Sequence, residues 1–197
     1  FGKLTGKMST MIQQLIVKKK IKKRAKLMDK VRRYEENTDR MEVEIANFLI
    51  KAAEGNLSKI SSANIRGLLS INNDLERIAD IFYQMSKSIE RKNESDLWFT
   101  EQQTSNLLEM LHVVDQALEI MNMNLDNDYA KVKLGQAVKI EEDIDAFRDK
   151  LRRAHLISIE QGDYHIQSSL IYNELFYSCE KVGDHVINVT EAIVGKI

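Results

Sequence analysis

Apolar residues recur at alternating spacings of four and three along nearly the whole chain, and the strict apolar/polar alternation of a half-buried strand is missing. Segments 5–28, 30–54, 58–91, 97–123, 129–160 and 164–195 each carry such a stripe, so the pattern predicts six helices and an all-α fold. Short polar residues that compete with the helix backbone separate them at Gly55-Asn56, Asn93 to Asp96, Asn124 to Asp128 and Gly162-Asp163. With no proline in 197 residues, nothing else interrupts the periodicity.

The stripes repeat. Ile71, Leu75, Ile78, Phe82, Met85 and Ile89 return 104 residues later as Leu175, Cys179, Val182, Val186, Val189 and Ile193. Val31, Tyr34, Thr38, Met41, Ile45 and Phe48 return after 106 as Ala137, Ile140, Ile144, Phe147, Leu151 and Ala154. The chain therefore reads as a duplicated three-helix unit, 1–93 and 94–197, with a basic leading helix over 1–29 and the stripes as bundle core.

Charge changes this picture at one end. Residues 1–33 hold twelve Lys/Arg and only Asp29, whereas the remainder holds seventeen Lys/Arg against twenty-nine Asp/Glu. The run from Lys18 to Lys26 can attract anionic lipid. It lacks interleaved aromatics, so nucleic acid is not expected. The lone Cys179 reads as a buried thiol in a reducing compartment, and no apolar run approaches the roughly 18 residues of a spanning helix. Trp98 and Tyr172 read as packing residues, and His155 and His165, flanking the Gly162 turn, as surface residues. Glu109 and His112 give one Glu-x-x-His where carboxylate-bridged di-iron bundles need two. No phosphate loop or nucleophile arrangement is present, so the chain reads as non-enzymatic.

The chemistry-bearing signal lies in the acids. Glu-x-x-x-Asp occurs four times, as Glu35/Asp39, Glu76/Asp80, Glu141/Asp145 and Glu180/Asp184, where roughly one is expected by chance. The pairs occupy repeat-equivalent positions, and residues i and i+4 share a helix face. In an antiparallel hairpin centred near 57.5, positions 37 and 78 are level, and centring near 162.5 does the same for 143 and 182. Four carboxylates per unit thus converge, and their repulsion calls for protonation, a salt-bridge network with Arg77 or Lys181, or a cation; clustered carboxylates suit Mg, Mn or Fe.

At these residues the sequence resembles the PhoU family. Leu75-Glu76-Arg77-Ile78-Ala79-Asp80 and Cys179-Glu180-Lys181-Val182-Gly183-Asp184-His185 are similar to its repeated LERIGDH signature, and Glu35-Glu36-Asn37-Thr38-Asp39 and Glu141-Glu142-Asp143-Ile144-Asp145 to its EE-x-x-D segment. The first unit departs where Ala79 and Ile81 replace the Gly and His kept as Gly183 and His185. The resemblance implies two tandem antiparallel three-helix bundles and a role in phosphate uptake and signalling. It implies multinuclear metal clusters, iron foremost with Mn, Zn or Mg as alternatives, held by Glu35, Asp39, Glu76 and Asp80 in one unit and by Glu141, Asp145, Glu180 and Asp184 in the other. The second site, with the fuller signature, is expected to be the stronger.

Two contexts follow from the resemblance. One is the cytosolic tail of a sodium/phosphate cotransporter, which the opening Phe1 and the basic first segment favour; the partner is then a membrane domain of the same polypeptide, at the cytoplasmic face of a bacterial plasma membrane. The other is a free-standing regulator of an ABC phosphate importer and its sensor kinase. Self-association is compatible with either. A helical adaptor with merely solvated carboxylates is the reading without metal.

Overall fold

In a computed structural model of the chain, residues 1–18, 20–54, 58–162 and 165–195 are described. Among them are six α-helices and no strand: α1 (Gly2–Val17), α2 (Ile21–Ala53), α3 (Lys59–Glu94), α4 (Glu101–Asp126), α5 (Gly135–Gln161) and α6 (Ile166–Ile193), with a 3-10 turn at Tyr129–Lys131 before α5. No described helix is long and apolar enough to cross a membrane.

The ends are set by local chemistry. Ser58 Oγ accepts the Ser61 amide at the start of α3, and Thr100 and Gln103 form a reciprocal capping box at the start of α4. Gly162 ends α5 in the left-handed conformation, φ 72°, a geometry that costs glycine least. The Gly55-Asn56 turn and Asp163 lie outside the described residues.

The first boundary differs from the predicted one. The helix expected over 5–28 stops at Val17, and Lys18 and Lys20 are extended before α2 begins at Ile21. Like charges one helical turn apart, Lys18/Lys22 and Lys20/Arg24, disfavour a continuous helix there. The break also lets α1 turn back so that Met8, Met11, Ile12 and Leu15 are buried in the core. Of the basic run, Lys18 and Lys20 lie between the two helices and Lys22 to Lys26 in the first turns of α2, so it is not one leading helix; Lys19 lies outside the described residues.

The six predicted stripe positions of α3 and all six of α6 are buried. These two helices pack most extensively on each other, and one continuous core runs through both units. On α2 and α5 the stripe holds for most of its length and then slips by one residue. Phe48 is exposed and Leu49 buried; Ala154 is exposed and His155 buried. A stripe of period near 3.5 falls behind a 3.6-residue helix by roughly 20° per heptad, enough to hand the inward place to the next residue at the far end. His155 is therefore no surface residue: it lies 5.4 Å from the Tyr172 ring and 5.9 Å from Phe176, and burial pushes its pKa down. Trp98, read as packing, is 71% exposed, while Tyr172 and the Cys179 thiol are buried as expected.

Polar contacts fix the registers. Asn72 Nδ2 donates to the Glu42 carbonyl at 2.9 Å between α3 and α2. His185 Nδ1 and Asn188 Nδ2 on α6 meet the buried Asp74 of α3 at 2.8 and 3.3 Å.

Gly183 has a packing reason. A Cβ there would stand 3.1 Å from Ile144 Cδ1 and 3.3 Å from Cγ2. In the first unit the equivalent pair is Ala79 against the smaller Thr38, so volume moved from one helix to the other. Gly183→Ala alone should bring no net stabilisation, the helix-propensity gain of about 1 kcal/mol being offset by the clash. In an Ile144→Val background the same change should stabilise, with a coupling of about 1 kcal/mol in a denaturant double-mutant cycle; simple additivity would refute the account.

Candidate metal centre

The acid pairs sit where α2 faces α3 and α5 faces α6, at the edge of the core stripe. Thr38 and Ile144, buried between the members of their pairs, turn the flanking acids toward the neighbouring helix. The hairpin register that the turn positions predict is the one found: Glu35 and Asp39 come beside Asp80, and Asp145 comes beside Glu180 and Asp184.

In the first unit Glu35, Asp39 and Asp80 each place a carboxylate oxygen within 4.8 Å of the others, the only such group among the described residues. At that separation each ionised pair repels by about 3.5 kcal/mol with an effective dielectric of 20. Glu76 adjoins them through a hydrogen bond with Asp80. The neighbouring bases do little to offset this. Arg77 Nε stays 3.8 Å from Glu76 Oε2 with its side chain more than half exposed, a geometry worth at most about 1 kcal/mol. Three of the four carboxyls respond with raised pKa values. Burial, then Asp39 and Asp80, raise the pKa of Glu35; burial and Asp80 raise that of Asp39; burial and Asp80 take Glu76 to about 7.

These residues fit a metal ion: three oxygens from two helices lie close enough to share one cation, a fourth carboxylate adjoins, and no well-placed base competes. Glu35, Asp39 and Asp80 would hold it directly, with Glu76 beside them, as hard oxygen ligands for Fe, Mn or Mg.

The second unit has the same acids in another electrostatic state. Arg148 Nη1 donates to Glu180 Oε1 at 2.5 Å and pairs with Asp145 Oδ1 at 3.1 Å, while its Nε donates to Asp149 Oδ1 at 3.1 Å. Burial still raises the pKa values of Glu180 and Asp184, joined by Asp184 and Asp145 respectively, but Arg148 pulls both back down. Glu141, raised by burial, Asp145 and Asp184, completes the set. This site, expected to be the stronger of the two, has a guanidinium seated between its helices. His185 does not turn its Nδ1 to these acids but to Asp74.

The sequence reading named Arg77 and Lys181 as neutralising bases and missed Arg148. Its signal was present: Arg148 lies three residues after Asp145 on the same face, and the position 106 residues earlier is Glu42. Asp74 was missed because it belongs to no Glu-x-x-x-Asp pair and so carries no spacing signal.

Because Glu76 binds its proton more tightly folded than unfolded, the folded state holds the extra proton from about pH 4.5 to about 7, and stability declines as pH rises through that window. Glu76→Gln, melted in chelator, should match the wild type at pH 4 and exceed it by a few degrees at pH 8. An equal difference at both pH values would show that Glu76 does not carry the strain.

Comparison with known proteins agrees with this architecture. The family model described as the PhoU domain matches residues 1–89. No curated protein matches the chain. Among solved structures, PhoU from Pseudomonas aeruginosa superposes with a TM-score of 0.83 at 17% identity, covering 98% of this chain and 90% of that one. The phosphate transport system regulatory protein PhoU from Streptococcus pneumoniae gives 0.76 at 16% identity, covering 98% and 87%. The two-unit, all-α fold is thus a known one.

Proposed function

We propose, for a chain whose residues 1–89 match the PhoU domain model and whose fold is that of PhoU structures, a regulator of phosphate uptake whose first unit holds a metal cluster. The carrying observation is the group Glu35, Asp39 and Asp80, three carboxylates from two helices with no base between them. A metal there ties α2 to α3 and removes the repulsion that otherwise loosens that hairpin, so metal supply sets the rigidity of one face of the bundle. The role is regulatory rather than catalytic. The partner is a phosphate transporter complex at the cytoplasmic face of the membrane.

Support for the two contexts is unequal. The similar solved structures are PhoU chains of which this one covers 90% and 87%, which favours a PhoU-type regulator. The cotransporter-tail reading rests on one feature, the α1–α2 junction, where exposed Val17 and Ile21 stand among Lys18, Lys20, Lys22 and Lys23, a composition suited to an anionic membrane surface.

The test has two readouts. Protein purified without chelator should carry at least one Fe, Mn or Zn per chain by elemental analysis, and Glu35→Gln/Asp39→Asn should lower affinity for added Mn²⁺ at least tenfold. Expressed in a bacterial host lacking its own PhoU protein, the wild type should restore phosphate control of uptake and the double variant should not. A wild type that binds metal but leaves phosphate uptake unchanged would refute the regulatory reading; one that controls uptake with no metal would refute the cluster.

A further inference from the structure

We infer that Arg148 is the resident cation of the second carboxylate set, so that the two units of the duplicated chain differ in kind, the first open to a metal ion and the second closed to it. The inference deepens the metal reading of the first set and uses the same residue positions.

Three observations carry it. The Arg148 head lies where a shared cation would bind, bonded at once to Asp145 of α5 and Glu180 of α6. It is anchored from behind, since Asp149 holds its Nε and the side chain is only 17% exposed, so the head is no freely swinging surface group. The first unit cannot copy it, because the equivalent position is Glu42, an acid, and Arg77 stays 3.8 Å from Glu76 with its side chain more than half exposed.

Guanidinium suits the task. Its planar fork bonds two carboxylates on different helices, and it keeps its charge at any pH the protein meets. A divalent ion approaching Asp145 and Glu180 would have to displace a fixed positive charge while being repelled by it. Duplication has therefore solved one electrostatic problem twice, by an ion drawn from solution in one unit and by a side chain in the other. Only the first can respond to metal supply.

The experiment is calorimetric titration of the full chain with Mn²⁺ alone, paired with thermal melts in chelator and in Mn²⁺. Glu35→Gln/Asp39→Asn should abolish Mn²⁺ binding. Arg148→Met should about double the Mn²⁺ bound per chain, and Glu180→Gln/Asp184→Asn added to it should remove the gain. Arg148→Met should also melt below the wild type in chelator and recover in Mn²⁺, a rescue that loss of a merely structural ion pair would not show. Arg148→Gln serves as the second variant should Arg148→Met not fold, and Arg148→Lys, which keeps a cation, should gain no site.

The inference is overturned if Glu35→Gln/Asp39→Asn keeps a Mn²⁺ site that Glu180→Gln/Asp184→Asn removes, or if folded Arg148→Met and Arg148→Gln gain none. A wild type that binds no Mn²⁺, beside an Arg148→Met that does, would overturn the metal reading of the first set while upholding the role of Arg148.

Discussion

The contact of α3 with α6 is what the rest of the molecule depends on. Both helices bury every position of their apolar stripes, and Phe176 of α6 besides, so neither has a stable place without the other. Apolar packing alone tolerates sliding by a turn. Asp74 does not, since a buried carboxylate that loses His185 and Asn188 pays its full desolvation cost. Once that register is set, α2 on α3 and α5 on α6 follow by hairpin geometry, and the height of both acid sets on the bundle is determined.

A second constraint runs against the first. Most of the acids beside the core stripe are half-buried, and carboxylates clustered there cannot all ionise without a counter-charge. The chain keeps eight of them, in two sets of four. In one set the result is raised pKa values at Glu35, Asp39 and Glu76 and a group of carboxylates spaced like metal ligands; in the other it is a three-way ion pair around Arg148. Similar backbone geometry thus supports two electrostatic states, and the difference comes from one residue position, Glu42 in one unit and Arg148 in the other.

The duplication has diverged in packing as well. Gly183 accommodates Ile144, while Ala79 accompanies Thr38, so the glycine of the signature matters for the size of its neighbour and not for an unusual backbone. Ile81 stands where the second unit has His185, and only the latter takes part in the bond across the unit boundary. The two units are therefore not interchangeable: each supplies one half of the Asp74–His185 contact.

The one-dimensional pattern determined a good deal. Helix number and class, the duplication, the buried faces of α3 and α6 and the level of all four acid pairs follow from periods of 3.6, 104 and 106 residues, because helix periodicity and hairpin symmetry are local rules that repeat. The PhoU resemblance was legible for the same reason, as spacing on a helix face. Tertiary structure alone decided where α1 breaks, since burying Met8, Met11, Ile12 and Leu15 required a turn among lysines. It decided that Leu49 and His155, not Phe48 and Ala154, face inward, because small angular drift accumulates over a long helix. And it decided which base neutralises which acids: a guanidinium reaches several ångströms from its backbone, so its partner depends on packing and rotamer, to which sequence spacing is blind.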